Sequence, residues 1–567
     1  MGWAACEMPP GEAMEIDAWG VRDGSQLEAD LCIIGAGPAG LTIAREFIGR
    51  DLRVALLESG GNQPDPDIRA LCSGTTAGDP YADPRLTRHR QAGGTANEWN
   101  TAIGSEIGAK YVSLDPVDFE ERPWLPWSGW PFGKAHLDPY YERAHGVCGL
   151  GPCTYRAAGW ADPERPALPL GGGLLTTGLY RYGLARPFTR THLNEIRLAG
   201  NTTLYLHAAV VELATDPVGQ TVTHARVKCL TGTGFSVRAP LFVLAAGGIE
   251  NARLLLLSTG ARRDGLGNEH GLVGRCFMDH PRDSSCALIP RDPTLFEHAG
   301  FYDVHSTPRG IVMGRLTLTN NGMRREQLLN MSATLTPRPR GYRSPGMEAL
   351  RAVRVASLRR PRELVRQVHR LAAGLGDVMG YAYRRQMLGY HPVNTEWSLL
   401  PDKTRRFATF ELLLNLEQAP DPDNRVMLGP ERDALGQLKA HIVWRWRERD
   451  QRNLDRVRAI LARELEQAGI GRVILIPGAT LDSNAHHHLG ATRMHRDPRR
   501  GVVDENSRVH STSNLFVAGS SVFPTGGYAN PTLTIVALAL RLADHLKRNP
   551  QSRPPKLGTS SGTPFPK

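Results

Sequence analysis

Apolar residues along this chain cluster in a few short dense runs separated by glycines, prolines and charged stretches. LCII (31–34) stops at a glycine, LTIAREFI follows at helical spacing, and VALL (54–57) is a second run that stops at an acid. A strand, a tight turn, a helix and a second strand are the elements this pattern predicts. LYLHAAVVEL (204–213) and ARVKCL (225–230) read as further strands, and LFVLAAGGIENARLLLLS (241–258) repeats the strand, small-residue turn and helix. Near the end, NLFVAGSS (514–521) is a strand closing on glycine, and ANPTLTIVALALRLADHL (529–546) is a long apolar helix with proline near its start. Residues 285–345 and 395–445 alternate (ALIP, IVMGRLTL, AHIVWRW) and predict a separate, mostly antiparallel sheet around an arginine-rich helical segment; a further helix is expected over Arg449–Ala468.

The first strand ends in G-x-G-x-x-G: Gly35, Gly37 and Gly40, with Pro38 and Ala39 inside the motif. The first glycine makes the turn, the second lets backbone approach a pyrophosphate, and the third lets the helix pack on the strand. Glu58, at the tip of the second strand, suits two ribose hydroxyls, whereas an arginine there would suit a 2′-phosphate. The motif alone leaves NAD or FAD open. At 567 residues the chain exceeds one ordinary core. An α/β fold is expected: a Rossmann-like dinucleotide-binding domain drawn from 30–284 and 470–548, with an inserted antiparallel-sheet substrate domain at 285–469. An N-terminal extension (1–29), an arginine-rich insert (345–390) and a disordered proline- and serine-rich tail (549–567) complete the expected organisation. A discontinuous nucleotide domain favours a flavoprotein, because NAD domains are usually contiguous.

The net charge of +11 invites nucleic acid, but aromatics are only 7% and no nucleic-acid motif is present. Much of the excess lies in Arg351–Arg385, which reads as a solvated helical face or subunit contact, or as attraction for an anionic partner or lipid headgroup. No run approaches the roughly 18 apolar residues of a membrane span. The first 29 residues carry Glu7, Glu12, Glu15 and Asp17 rather than a secretory pattern, so a cytoplasmic location is expected. The eight cysteines are scattered, and Cys148 and Cys153 lack a second ligand pair, so burial as small apolar side chains is expected in place of zinc.

Four segments occur in one order: GAGPAG with Glu58, HRQAGGTANEW (89–99), AAGGIENARLLLLS, and HHLGATRM with SSVFPTGGYANPTLTIVALALRLADHL. Together they resemble the glucose–methanol–choline (GMC) oxidoreductases, in particular the branch with pyranose oxidases and gluconate- and fructose-type dehydrogenases. The resemblance spans most of 30–547 and is weakest over 300–410. It implies FAD, with its adenosine on Gly35–Gly40, Glu58 and Ser59 and its adenine beside the Val210 backbone. Gly93, Gly94, Thr95, Asn97 and Glu98 would lie along the pyrophosphate and flavin, and Gly519, Ser520, Pro531 and Thr532 would complete the cofactor site. Where some relatives tether the flavin through a histidine before the tryptophan, this chain has Glu98, so noncovalent FAD is expected.

The family pattern H-x-x-G places the catalytic base at His487 and its partner at Asn530, in N-P-T. Oxidising an alcohol removes a hydroxyl proton and transfers the carbinol hydride to flavin N5; a neutral imidazole takes that proton, and an uncharged amide fixes the oxygen. The helix beginning near Pro531 would present its positive end to the reduced flavin. His486, His487 and His488 are consecutive and cannot readily converge on one ion, so no metal is expected; a shifted register would put His488 in the catalytic place. His280, in FMDHP, also matches a family pattern and is given a structural role. Trp124, Trp127 and Trp130 read as a wedge holding a long excursion, or as a platform for stacking sugar. The expected activity is oxidation of a sugar, glycoside or polyol, at a secondary ring hydroxyl by preference. A primary alcohol of a glycoside or aminoglycoside, or a lyase with redox-silent FAD, are the alternatives. The electron acceptor and a homo-oligomeric state are left open.

Overall fold

The structure, a computed structural model, describes residues 14–355, 361–392, 394–476, 481–483 and 485–548. Its centre is a six-stranded parallel sheet in the order Glu15–Asp17, Thr202–Leu206, Val54–Leu57, Leu31–Ile34, Leu241–Leu244 and Leu515–Val517. LCII, VALL and LFVL are buried at every position, as strands covered on both faces require. Leu31 stands opposite Val54 on one side and Leu241 on the other. Strands from the two ends of the chain therefore meet in one sheet. The expected N-terminal extension takes part as well, since Glu15–Asp17 forms the sheet edge and Gln26–Glu28 joins a second, four-stranded sheet.

A nine-stranded antiparallel sheet forms the other half. Its order is Gly471–Leu475, Arg282–Pro290, Thr409–Leu416, Met331–Arg338, Gly310–Leu318, Leu175–Leu184, Glu106–Tyr111 and Thr101–Ile103, with His305–Thr307 paired beside Gly310–Leu318. The helix Glu448–Gln467 packs Leu454, Val457, Ile460, Leu461 and Leu465 into the core under this sheet. Three of its strands come from residues 101–111 and 175–184, which the sequence assigned to the cofactor-binding part.

Two sequence expectations change. LYLHAAVVEL is two strands: His207 takes a positive φ of 54°, and its amide and that of Ala208 donate to the carbonyls of Gly60 and Glu58. Those bonds turn the chain out of the parallel sheet and into the four-stranded one, as Ala209–Thr215. AHIVWRW does not join the nine-stranded sheet. Leu438–Trp444 pairs with Arg425–Arg432 and, in parallel, with Gly74–Gly78, whose GTTAG sequence lacks the apolar alternation that marks a strand. The arginine-rich segment contains helices Pro345–Val355, Pro361–Ala373 and Leu375–Met387. Cys148 is buried and Cys153 half-buried, both as free thiols. The expected tail, 549–567, lies outside the described residues. No helix among the described residues is long and apolar enough to cross a membrane.

Candidate active site

A cavity of about 530 Å3 runs from the glycine turn to the C-terminal histidines. Gly35, Gly37, Pro38, Ala39, Glu58, Ser59, Gly94, Thr95 and Glu98 line it together with His487, Gly519, Ser520, Asn530, Pro531 and Thr532. Most of the residues singled out from the sequence are thus brought to one space.

At the glycine end, backbone fills the role that side chains usually play. Gly35 has φ 106°, and a Cβ there would lie 2.6 Å from the Ala245 carbonyl oxygen. A Cβ on Gly40 would fall 1.9 Å from the Gly35 carbonyl oxygen, so only glycine lets the helix Pro38–Arg45 sit this close to the strand. Gly37 begins that helix with no side-chain cap, which leaves its first amides to a ligand. Gly94 faces it across the cavity with φ 58°, where a Cβ would come 2.9 Å from the Gly37 Cα. Glu58 is buried and holds both flanking turns: Oε2 accepts from the Ala36 amide and Oε1 from the Gly60 amide, each at 2.9 Å. Burial raises its pKa, opposed by those amides and by the Arg90 guanidinium.

Several predicted cofactor residues do other work. Gly93 donates to the Ala36 carbonyl at 2.9 Å, and Asn97 donates to the carbonyls of Ala92 and Gly94 at 3.0 and 2.9 Å. Both brace the loop rather than line the cavity. Val210 pairs with Val227 in the four-stranded sheet and is not among the lining residues. Glu98 lines the cavity and meets Arg69 at 3.4 Å and His89 Nδ1 at 2.8 Å.

At the other end the three histidines diverge. His487 Nε2 lies 3.0 Å from Asn530 Nδ2, and His487 Nδ1 lies 2.9 Å from His280 Nδ1. With the Asn530 amide donating, Nε2 is the acceptor, so the His487 proton sits on Nδ1 and is given to His280. The His280 proton then sits on Nε2, beside the backbone of Gly526 and Gly527, without a hydrogen bond of good geometry. Burial, the neighbouring His280 and the cations of Lys110 and Arg282 together hold His487 well below the usual histidine range. Burial likewise takes His280 down to about 4 and His488 down to about 3. His488 is buried and stacks on Phe277 at 5.9 Å between ring centroids, and its carbonyl accepts from Ser520 Oγ. His486 is exposed.

The sequence missed the buried carboxylate that positions this end. Asp279 Oδ1 accepts from the amides of His280 and His487 at 2.7 and 3.0 Å, and Oδ2 from the Tyr81 hydroxyl at 2.6 Å. Burial pushes the Asp279 carboxyl up to about 6. FMDHP was the available signal. Arg88 and Arg90 were also missed; both line the cavity and pair with Glu250 at 2.6 and 2.9 Å. Asn251 Oδ1 accepts from the Ala246 amide while its Nδ2 donates to the Ala518 carbonyl and Ser521 Oγ, which ties the second glycine turn to the last strand. Trp124, Trp127 and Trp130 do not line the cavity. Trp130 is buried with its indole N–H on Thr525 Oγ1, so the wedge role fits it, and the tryptophan on the cavity is Trp99.

The uncapped helix start, the side-chain-free passage between Gly37 and Gly94 and the carboxylate of Glu58 fit a flavin dinucleotide. Residues 420–539 match the family model described as GMC oxidoreductase. The chain is 26% identical to paromamine 6'-oxidase of Streptomyces fradiae, over 93% of this chain and 92% of that one. Its similarity to the fructose dehydrogenase large subunit of Gluconobacter japonicus is 28% over 54% and 47% of the two chains. It is 39% identical over 114 residues to C-glycoside 3-oxidase of Arthrobacter globiformis, 19% of this chain and 21% of that one. Among solved structures, formate oxidase of Aspergillus oryzae superposes with TM-score 0.49 at 15% identity, covering 93% and 99%. Residues 420–539 thus carry a GMC oxidoreductase match, and over nine-tenths of its length the chain is similar to named oxidases and dehydrogenases, as expected of an FAD-dependent enzyme acting on alcohol groups.

Proposed function

We propose that the protein oxidises an alcohol group of a sugar, glycoside or polyol, with His487 as base and Asn530 as oxygen anchor. The 3.0 Å contact between His487 Nε2 and Asn530 Nδ2 on the wall of the cavity carries this reading. A substrate hydroxyl placed between the two would donate to Nε2 and accept from Nδ2, replacing one bond by two. His487 then takes the hydroxyl proton at Nε2 while its Nδ1–H goes on donating to His280 Nδ1, so the ring keeps its orientation as it becomes imidazolium. Asn530 holds the oxygen as it gains charge. When bound, FAD supplies the two-electron acceptor for the carbinol hydride. Gly35, Gly37, Glu58, Gly94 and Thr95 would hold its dinucleotide part, with Arg90 adding a cation near the phosphates. Noncovalent binding is supported by the absence of histidine at position 98 and by His89, whose Nε2 bonds Gln91 Oε1 at 2.5 Å while its Nδ1 lies 2.8 Å from the Glu98 carboxylate.

The division into an FAD-binding part (30–284 and 470–548) and a substrate part (285–469) is proposed with its partition adjusted for the strands at 101–111 and 175–184. A secondary ring hydroxyl is favoured by local similarity to the C-glycoside 3-oxidase and to pyranose 2-oxidase of Tricholoma matsutake, 42% over 60 residues. The full-length similarity to paromamine 6'-oxidase supports oxidation of an aminoglycoside as a second reading. Anaerobic mixing with monosaccharides, C- and O-glycosides, aminoglycosides and polyols tests both. Bleaching of the flavin absorbance by one class identifies the donor, and a flavin left oxidised by all of them favours the lyase alternative. Acid precipitation should release the flavin into the supernatant; flavin held in the pellet contradicts noncovalent binding.

A further inference from the structure

One face of the nine-stranded sheet lines the cavity that holds His487 and Asn530. Lys110, Arg282, Leu413 and Asn415 all line the cavity from it. Asn415 stands in register with Arg282, and Lys110 with Tyr182, two residues beyond Tyr180 on the same face. A polar row connects them: Asn415 Nδ2 donates to the Tyr180 hydroxyl at 3.3 Å, that hydroxyl bonds Ser332 Oγ at 2.6 Å, and Lys110 Nζ sits 4.8 Å above the Tyr180 ring. Such a row suits a polyhydroxylated substrate.

The charge balance of this wall is one-sided. The charged or titratable groups near Lys110 include Tyr180, Arg282, Arg315, His280 and His487, none of them a carboxylate, and burial lowers the lysine's pKa. Arg315 is turned away, donating to the Leu179 carbonyl and the Tyr528 hydroxyl. Arg282 pairs with Asp482, an acid that is half exposed to solvent. The acids on the cavity lie elsewhere and are engaged: Glu58 by two backbone amides, Glu98 by Arg69 and His89, and Glu250 by Arg88, Arg90 and Arg253. Lys110 and Arg282 both act electrostatically on His487, which puts this positive wall at the reacting end of the cavity. An ammonium taken from water with only a phenol and no carboxylate beside it is costly, and an anionic group on the ligand offsets that cost.

We infer that the substrate is a hydroxyl-bearing carboxylate, a sugar acid or acidic glycoside, whose carboxylate is held by Lys110 with Arg282. The inference rests on the alcohol-oxidation reading only for the place of the reacting carbon. It runs against a polycationic aminoglycoside, whose ammonium groups would face Lys110 and Arg282.

Titration of the oxidised, FAD-loaded protein with glucuronate, glucose and glucosamine tests it, read from the visible flavin spectrum without turnover. Glucuronate is expected to bind about tenfold or more tightly than glucose, with glucosamine weakest. Added salt should narrow the gap. Lys110→Met should abolish the advantage of glucuronate, and Lys110→Arg should keep it. Equal binding or no binding of the three, a preference for glucosamine, a gap that salt leaves untouched, or a full preference surviving in Lys110→Met overturns the assignment. A Lys110→Met variant that shifts the flavin reduction potential but not the ranking also overturns it. Anaerobic reduction with the same compounds separates the two claims. The charge ranking without bleaching refutes alcohol oxidation alone, and bleaching without the ranking refutes the carboxylate alone.

Discussion

In the proposed reaction His487 acts at Nε2 because its other nitrogen is occupied. The Asn530 amide on Nε2 fixes the proton on Nδ1, where His280 accepts it, and the Asp279 carboxylate holds the backbone amides of both histidines. His280→Ala should therefore slow anaerobic flavin reduction by about tenfold, the worth of one orienting hydrogen bond of roughly 1.4 kcal/mol, with FAD content unchanged. An unchanged rate would show that the His280 contact does not orient the base. The pH dependence has a definite sign. A base must be unprotonated to act, and burial with neighbouring cations depresses the His487 pKa from its usual value of 6.5. The reduction rate should stay level as pH falls through 6.5 and decline only below it; a decline centred at or above 6.5 would contradict the depression. At this scale the pair itself was legible, because H-x-x-G and N-P-T are local patterns. The Asp279 and Tyr81 contacts were not: FMDHP marks the segment, but bonds to partners 198 and 208 positions away leave no local trace.

Elements were legible where apolar runs were long and uninterrupted. LCII, VALL, LFVL and the helix Thr532–Arg548 are where the pattern put them. LYLHAAVVEL misled because one apolar run serves two sheets, and only the bonds from His207 and Ala208 to the Glu58 turn reveal the corner. GTTAG misled in the other direction: it has no apolar alternation and becomes a strand because Leu438–Trp444 offers it an edge. The close approach of Gly37 and Gly94 is a property of two elements rather than of either glycine. Gly94→Ala would drive a Cβ to 2.9 Å from the Gly37 Cα at a φ of 58°. It should spread the two turns and lower the flavin-to-protein ratio after purification, with the far-ultraviolet circular dichroism retained. A full flavin complement in that variant would show that the passage has room to spare.

Over the whole molecule, chain ends and middle are interleaved. The glycine turn near residue 35 and the histidine near 487 open on one cavity because Leu241–Leu244 pairs with both Leu31–Ile34 and Leu515–Val517. Discontinuity of the nucleotide-binding part could be read from repeated strand–turn–helix patterns at both ends. The composition of the antiparallel sheet could not, because Glu106–Tyr111 and Leu175–Leu184 lie within glycine- and proline-rich surroundings and are identified only by their partners. Those strands matter to function, since Lys110 sits on one of them. The measurement that bears most directly on the central claim is anaerobic flavin reduction by a reactive alcohol in the wild-type protein and in His487→Ala, at matched FAD content. Loss of the base should lower the rate by several hundred-fold or more, within the range of roughly 10²–10⁴ for general-base catalysis. A near-wild-type rate in His487→Ala would remove this histidine from the reaction and contradict the account.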